Sequence, residues 1–390
     1  MRTAYLPYYR PQLSDREIEA AVECLRKGWL TSGSKVGEFE EAFSRASGVE
    51  HAVAMNSCTA ALHVALCAMG VGDGDEVVMP SLTFVAGAQC TLELGATPVF
   101  ADVDPDTLSV TVSSVEAVTT PRTRVIIAMP YGGRPLDIGA IVEYAHDRGI
   151  RVLEDAAHAA GMLDRGRWSG TCSDAAAYSF YATKNLTCAE GGMLVTRDAQ
   201  LAERARVLRL HGMSVDAWKR YTAGGSWRYD VETPGYKYNL PDPLAAIGIA
   251  QLERLDELQA CRTTLAQRYI DGLRGVEGIS VQAPPSSAGD RHSWCMFAVK
   301  VDPAVADVDR DGLIEGLKEA NIGSSVHYVP THLLTAYRTL RRSSLPHTEA
   351  VWQRLVSLPL FPGMTDGDVD DVVAAVRDIA RTSALRAAAS

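Results

Sequence analysis

The sequence has no C-x-x-C pair, no His/Cys cluster at ligand spacing, no apolar run longer than a strand and no G-x-G-x-x-G after an early strand. The first two absences argue against a zinc-stapled or dithiol redox protein. The third leaves nothing to span a bilayer, and the fourth speaks against a nicotinamide dehydrogenase. Basic charge is also short, with 38 Lys and Arg against 48 Asp and Glu and a formal charge of -10. A nucleic acid is therefore not the expected partner. The opening MRTAYLPYYRPQLSD carries Pro and polar residues where a secretory leader needs an apolar core, so a cytoplasmic location is expected. The eight cysteines (24, 58, 67, 90, 172, 188, 261 and 295) are scattered, several of them inside apolar runs, as buried free thiols in a reducing compartment would be. No segment is low-complexity and no internal repeat is visible.

What is present is a chain of 390 residues, 47% hydrophobic, enough for a large core and two domains. Residues 14–28 read as a helix, with Ser14 as N-cap, Glu17 three places on and Gly28 as its stop. Short apolar runs follow at 51–55, 75–79, 97–101, 124–129, 150–154, 175–181 and 192–196. Helical stretches at 59–69, 84–94, 136–148 and 199–209 lie between them. Strands alternating with helices imply a mostly parallel sheet covered on both faces, with ligands beyond the carboxyl ends of its strands. Residues 213–235 read as a long loop. An amphipathic helix over 243–270 reads as a link between domains. Strands at 293–301 and 324–328, with helices at 310–320 and 366–384, suggest a smaller α+β domain.

Three places carry candidate chemistry. Lys184, in SFYATKNLTCAEGGM, lies past a strand end, with Ser179 before it and Gly191-Gly192 after it. A lone loop lysine is ordinarily solvated, but one flanked by small residues can enter a pocket, where its amine can condense with an aldehyde cofactor. Asp155 ends RVLED; it is either a cap for the next turn or a buried carboxylate that keeps a pyridinium nitrogen protonated. At Asn56-Ser57-Cys58-Thr59, a strand runs into a helix through small polar residues, a junction that serves both as N-cap and as anion site.

These residues sit in eight stretches: GWLTSG (28–33), NSCTAALH (56–63), PSLTFVA (80–86), FADVDPDTL (100–108), EDAAHAAG (154–161), YSFYATKN (178–185), GYKYNLPDPLAAIG (235–248) and VHYVPTH (326–332). In that order they resemble the DegT/DnrJ/EryC1/StrS family of sugar aminotransferases over nearly the whole length. The resemblance implies an α/β fold, the fold type I architecture of pyridoxal 5'-phosphate (PLP) enzymes. A large domain would cover 1–255 and a smaller C-terminal domain 256–390. It makes Lys184 the Schiff-base lysine and proton shuttle, and Asp155 the partner of the ring nitrogen. Ser179 and the backbone of Cys58 and Thr59 would hold the phosphate. The family often has Gly or Ala where Cys58 stands, but only the N–H is needed. Phe84 would stack on the ring, unless it is a core residue. His158 falls where the family carries Gln or His near the cofactor's phenolic oxygen, unless it is a core histidine.

Asn239 would reach the phosphate of a neighbouring subunit. Many relatives place that Asn two positions earlier, where this chain has Lys237, so the assignment stays open between the two. Either way the resemblance implies a homodimer with shared active sites. Trp29, Thr31, Ser32, Tyr181, His327 and Tyr328 would face the sugar and its nucleotide. The implied reaction moves an amino group from L-glutamate to a keto sugar, with PLP and its amine form alternating. Family dehydratases carry His at the lysine position; Lys184 speaks against that branch. Three stretches, KNLTCAEGGMLVT, HGMSVDAWKR and PGYKYNLPD, look most like the UDP-4-amino-4-deoxy-L-arabinose aminotransferases of lipid A modification. That points to a UDP- or dTDP-linked 4-keto pentose, with a 4-keto-6-deoxyhexose as the alternative substrate. A regulatory member without turnover is the alternative from another class, disfavoured by intact Lys184, Asp155 and Ser179.

Overall fold

A computed structural model describes residues 2–213 and 228–387, apart from 283, 286, 307, 341 and 342. Most of the stretch read as a loop over 213–235 lies outside the described residues. In chain order the elements begin with α1 (Asp15–Lys27), α2 (Ser34–Ser47), β1 (His51–Met55), α3 (Cys58–Ala68), β2 (Glu76–Pro80), α4 (Ala86–Glu93) and β3 (Thr97–Ala101). There follow α5 (Val112–Glu116), β4 (Thr123–Ala128), α6 (Ile138–His146), β5 (Arg151–Asp155), β6 (Ala175–Ser179), β7 (Gly192–Thr196) and α7 (Ala199–Leu208). The rest comprises α8 (Asp242–Glu253), α9 (Leu255–Leu273), β8 (Ile279–Val281), β9 (Phe297–Val301), α10 (Arg310–Glu319), α11 (Pro346–Trp352), β10 (Leu355–Leu358) and α12 (Asp366–Ala387).

Seven strands form one sheet in the order β1-β7-β6-β5-β4-β2-β3, with β7 antiparallel to both neighbours and the other pairings parallel. The strands are buried on both faces because helices cover both. Register decides where the chemistry lies. Ser179 pairs with Gly192, Gly192 with Met55, and Asp155 with Ala177. The carboxyl ends of β1, β5 and β6 therefore meet at one edge, as the crossover rule for parallel sheets requires.

A second sheet, β10-β9-β8, is antiparallel and packs with α9, α10 and α12 around Tyr269, Phe297 and Val356. Leu6 joins this core and bridges Ile322, so the first residues belong with the last third of the chain. Arg2 ties down the same end through Asp368 and Asp371.

Several expectations need correcting. The helix expected over 243–270 is two helices that break at Arg254, whose guanidinium reaches Glu17 at 2.9 Å and Glu257 at 3.2 Å. Residues 324–328 are not a strand; Ser325 makes a single bridge to Ser357. The strand at 293–301 starts only at Phe297, because Trp294 has a φ of 49°. Helix α2 and strands β8 and β10 were not anticipated.

Candidate active site

The carboxyl edge of the large sheet opens into a cavity of about 510 Å³. Ten of the expected residues line it: Cys58, Thr59, Phe84, Asp155, His158, Ser179, Tyr181, Lys184, His327 and Tyr328. Each arrives for a local reason. Ser57 caps α3, its side chain accepting from Ala60 N at 3.0 Å, which leaves the Cys58 and Thr59 N–H groups without intrahelical acceptors. Gly192 closes the same corner. A Cβ there would stand 2.4 Å from Ser57 C and O and 2.6 Å from Cys58 N, so only glycine lets β7 lie against the start of α3. Ser179, at the end of β6, completes this cradle. Backbone N–H groups, a helix N-terminus and a buried hydroxyl suit a phosphate.

Asp155 closes β5, 6% exposed, and its Oδ1 accepts from Ala157 N at 3.2 Å. Burial raises its pKa, outweighing the Ala157 bond and the nearby Lys184 charge. A cationic ring nitrogen facing this carboxylate would restore its charge. The Cys58 thiol donates to Ala177 O at 3.3 Å and lies 3.9 Å from Asp155 Oδ1. Burial and the Asp155 charge push it well above the usual thiol range, so it stays neutral.

Lys184 stands in a loop whose backbone folds back on itself. Its N–H donates to Tyr181 O at 2.9 Å, while Phe180 and Cys188 pin the loop at its base. Next door, Asn185 is buried and donates to Ser293 O at 2.6 Å. The Tyr9 hydroxyl donates to Lys184 O at 3.1 Å. Tyr8 and Tyr9 both line the cavity, and sequence reasoning missed them: an extended Tyr-Tyr pair before a proline has no periodicity to mark it. Cys295, Met296 and Ser325 were missed as well, because only tertiary folding brings them to the cavity.

On the far wall, His158 Nδ1 accepts from Gly132 N at 3.3 Å and Nε2 lies 2.9 Å from the Tyr328 hydroxyl. Burial, then the Lys184 charge, drives the His158 pKa well below its usual value. His327 is lowered to about 4 by burial first and Lys184 second; its Nδ1 lies 2.9 Å from Ser357 Oγ. Phe84 is 57% exposed at the mouth, a position that core packing does not explain.

Residues 11–377 match the DegT/DnrJ/EryC1/StrS aminotransferase family. The chain belongs to that family. Among the relatives of this aminotransferase, the spore coat polysaccharide biosynthesis protein SpsC of Bacillus subtilis (strain 168) is 46% identical over 384 residues, 97% of this chain and 98% of SpsC. The putative sugar aminotransferase Spr1654 of Streptococcus pneumoniae, solved in its PMP form, superposes with a TM-score of 0.90 at 31% identity, covering 97% of this chain and 100% of that one. DesI, solved in the presence of its TDP-sugar product, gives 0.87 at 31% identity, covering 100% of this chain and 96% of that one. The family's enzymes are PLP-dependent sugar aminotransferases.

Four expected residues of the aminotransferase lie elsewhere. Asn239 donates to Ser32 Oγ at 2.7 Å and accepts from Lys237, while Ser32 donates to Leu240 O at 2.6 Å. Trp29 Nε1 donates to Ser32 O at 3.1 Å, and Thr31 O accepts from Asp242 N at 3.2 Å. Asp242 holds this turn through the N–H groups of Gly33, Lys35 and Val36. Trp29, Thr31, Ser32 and Asn239 thus form one cluster outside this cavity. Among the described residues no group of three or more His, Cys, Asp or Glu could hold a metal, and no helix is long and apolar enough to cross a membrane.

Proposed function

We propose that the chain transfers the amino group of L-glutamate to the keto group of a sugar carried on a nucleoside diphosphate, releasing 2-oxoglutarate and the amino sugar. The observation that carries this reading is the convergence of Lys184, Asp155, Ser179 and the α3 N-terminus on one cavity. PLP supplies an aldehyde that captures the amine and a ring that stores the electron pair left when a proton departs. The cradle of Ser179 with the Cys58 and Thr59 N–H groups binds the phosphate. Asp155 holds a proton on the ring nitrogen. Phe84 covers one face and excludes water. Lys184 Nζ would take the proton that leaves the donor's α-carbon, and in the second half-reaction it would deliver a proton to the sugar carbon that gains the amine.

For the substrate, we favour a 4-keto pentose on UDP or dTDP, aminated at C4 for lipid A or for glycosylated secondary metabolites. The stretches around Lys184 and Lys237 support it. The 6-deoxyhexose alternative draws support from DesI with its TDP-sugar product. Trp29, Thr31, Ser32 and either Lys237 or Asn239 act across a homodimer interface. The two domains divide at the α8–α9 break, with the first ten residues packed on the smaller one.

The test combines trapping with turnover. Borohydride reduction of the holoenzyme should fix the cofactor on the peptide containing Lys184. Lys184→Ala should abolish transamination while circular dichroism stays unchanged. Label on another peptide, or turnover without Lys184, sinks the proposal. Glutamate assayed against UDP- and dTDP-linked 4-keto pentoses and hexoses then identifies the substrate by its kcat/KM.

A further inference from the structure

The hydrogen bonds at His158 run in one direction only. The Gly132 backbone N–H points at Nδ1 from 3.3 Å, and a backbone N–H can only donate, so Nδ1 carries no proton. In a neutral ring the proton then sits on Nε2, which faces the Tyr328 hydroxyl at 2.9 Å. His158 must therefore donate and the Tyr328 oxygen must accept. The phenol proton is left to point away from His158, and the phenol lines the cavity beside Lys184.

The surroundings reinforce this polarity. His158 is 2% exposed, and burial plus the Lys184 and His327 charges hold it neutral. Burial, with Cys295 and Asp155 nearby, pushes the Tyr328 phenol well above its usual range, so it keeps its proton. The two rings are nearly coplanar in orientation, 7° apart, as an in-plane N–H···O bond favours. No other hydrogen bond of the Tyr328 hydroxyl is seen among the described residues, although buried hydroxyls are ordinarily satisfied as donors.

We propose that Tyr328 is a catalytic residue that donates its phenol proton to an oxygen of the molecule held at Lys184, and that His158 is a positioning residue that fixes the direction of that bond. The inference rests on the proposed function, and it changes the part played by His158, whose Nε2 proton is spent on Tyr328 rather than on the ligand. The acceptor chemistry is an oxygen next to the carbon that exchanges its amine. Two sources carry it: the phenolic oxygen of the cofactor and the keto oxygen of the sugar.

The first experiment needs no cofactor. In apoprotein labelled with 15N-histidine, His158 should show a protonated Nε2 and a bare Nδ1 near neutral pH. The opposite tautomer overturns the proposal while leaving the aminotransferase reading intact. The second uses holoenzyme and Tyr328→Phe, which removes one oxygen and keeps the ring. If the acceptor is the cofactor's oxygen, the pH midpoint of the visible absorption band shifts and PLP binds about tenfold or more weakly, as for a lost hydrogen bond to a charged group. If the acceptor is the sugar's oxygen, the band titrates normally but kcat/KM for the keto sugar falls by a similar factor, while the glutamate half-reaction is unchanged.

His158→Gln separates positioning from packing. Its amide can accept from Gly132 and donate to Tyr328 with the same polarity, so it should keep the wild-type readout that Tyr328→Phe changes. His158→Glu, which can only accept when ionised, should draw the phenol proton away and reproduce Tyr328→Phe; circular dichroism checks its fold. If Tyr328→Phe leaves absorption, PLP affinity and keto-sugar kinetics all unchanged, the proposal is wrong.

Discussion

Asp155 shows how much a single residue can depend on its surroundings. Buried at a strand end, it holds a charge easily only opposite a cation. Asp155→Ala should lower kcat by two orders of magnitude or more, roughly what unpairing a buried charge costs at about 3 kcal/mol. Near-normal turnover would remove Asp155 from the reaction. His327 makes a prediction about stability. Its pKa falls from 6.5 to about 4 on folding, so between those values the unfolded chain binds more protons. Its stabilising share is complete above about pH 6.5 and is lost as the pH drops toward 4, by on the order of 2–3 kcal/mol. His158 and His292, also lowered by burial, act in the same direction. Thermal unfolding of the apoprotein should show this slope, and His327→Gln should flatten part of it; an equal slope in the variant would contradict the assignment. Asp155 was legible in the sequence because it ends an apolar strand-length run, whereas His158 and His327 were reached only through the family resemblance. Tyr8, Tyr9 and Cys295 were not legible, since only tertiary folding brings them to the cavity.

At the level of elements, β7 lies tightly against the first turn of α3. Gly192→Ala places a methyl against backbone atoms that cannot swing aside. The expected result is a displaced cradle and PLP affinity reduced about tenfold or more, in line with overpacking costs of 1–3 kcal/mol. Fluorescence titration of the apoprotein measures it, and unchanged affinity would show that the cradle does not bind the phosphate. The large sheet was readable strand by strand, because each strand is a short apolar run between turn signals. Helix α2 escaped although Val36, Phe39 and Phe43 are buried with helical spacing, because Gly33 precedes it without a side-chain cap. Strands β8 and β10 are three and four residues long, too short for alternation to register. The kink at Arg254 left no trace in the hydrophobic pattern, since it is set by bonds to Glu17, more than two hundred positions earlier.

For the molecule as a whole, the cluster of Trp29, Thr31, Ser32 and Asn239 lies away from the cavity, and the proposed homodimer would bring it to the site of a second copy. That can be tested by mixing two inactive proteins, one carrying Lys184→Ala and the other Lys237→Ala with Asn239→Ala. If sites are shared across a twofold interface, refolding the mixture should recover about a quarter of wild-type activity, because half the dimers are hybrids and each hybrid keeps one complete site. No recovery would confine the cluster to a structural role. Family and fold were legible because eight motifs follow one another in order.

The Tyr9 hydroxyl bound to Lys184 O, with Leu6 bridged to Ile322, has a consequence for the newborn protein. On the ribosome the large sheet can be complete while Leu6 still lacks Ile322, its bridge partner, which is translated more than three hundred codons later. The segment that covers Lys184 is thus anchored at Leu6 only near the end of synthesis. A nascent polypeptide stalled before residue 322 would carry every cradle residue, with the strap over them held at one point fewer.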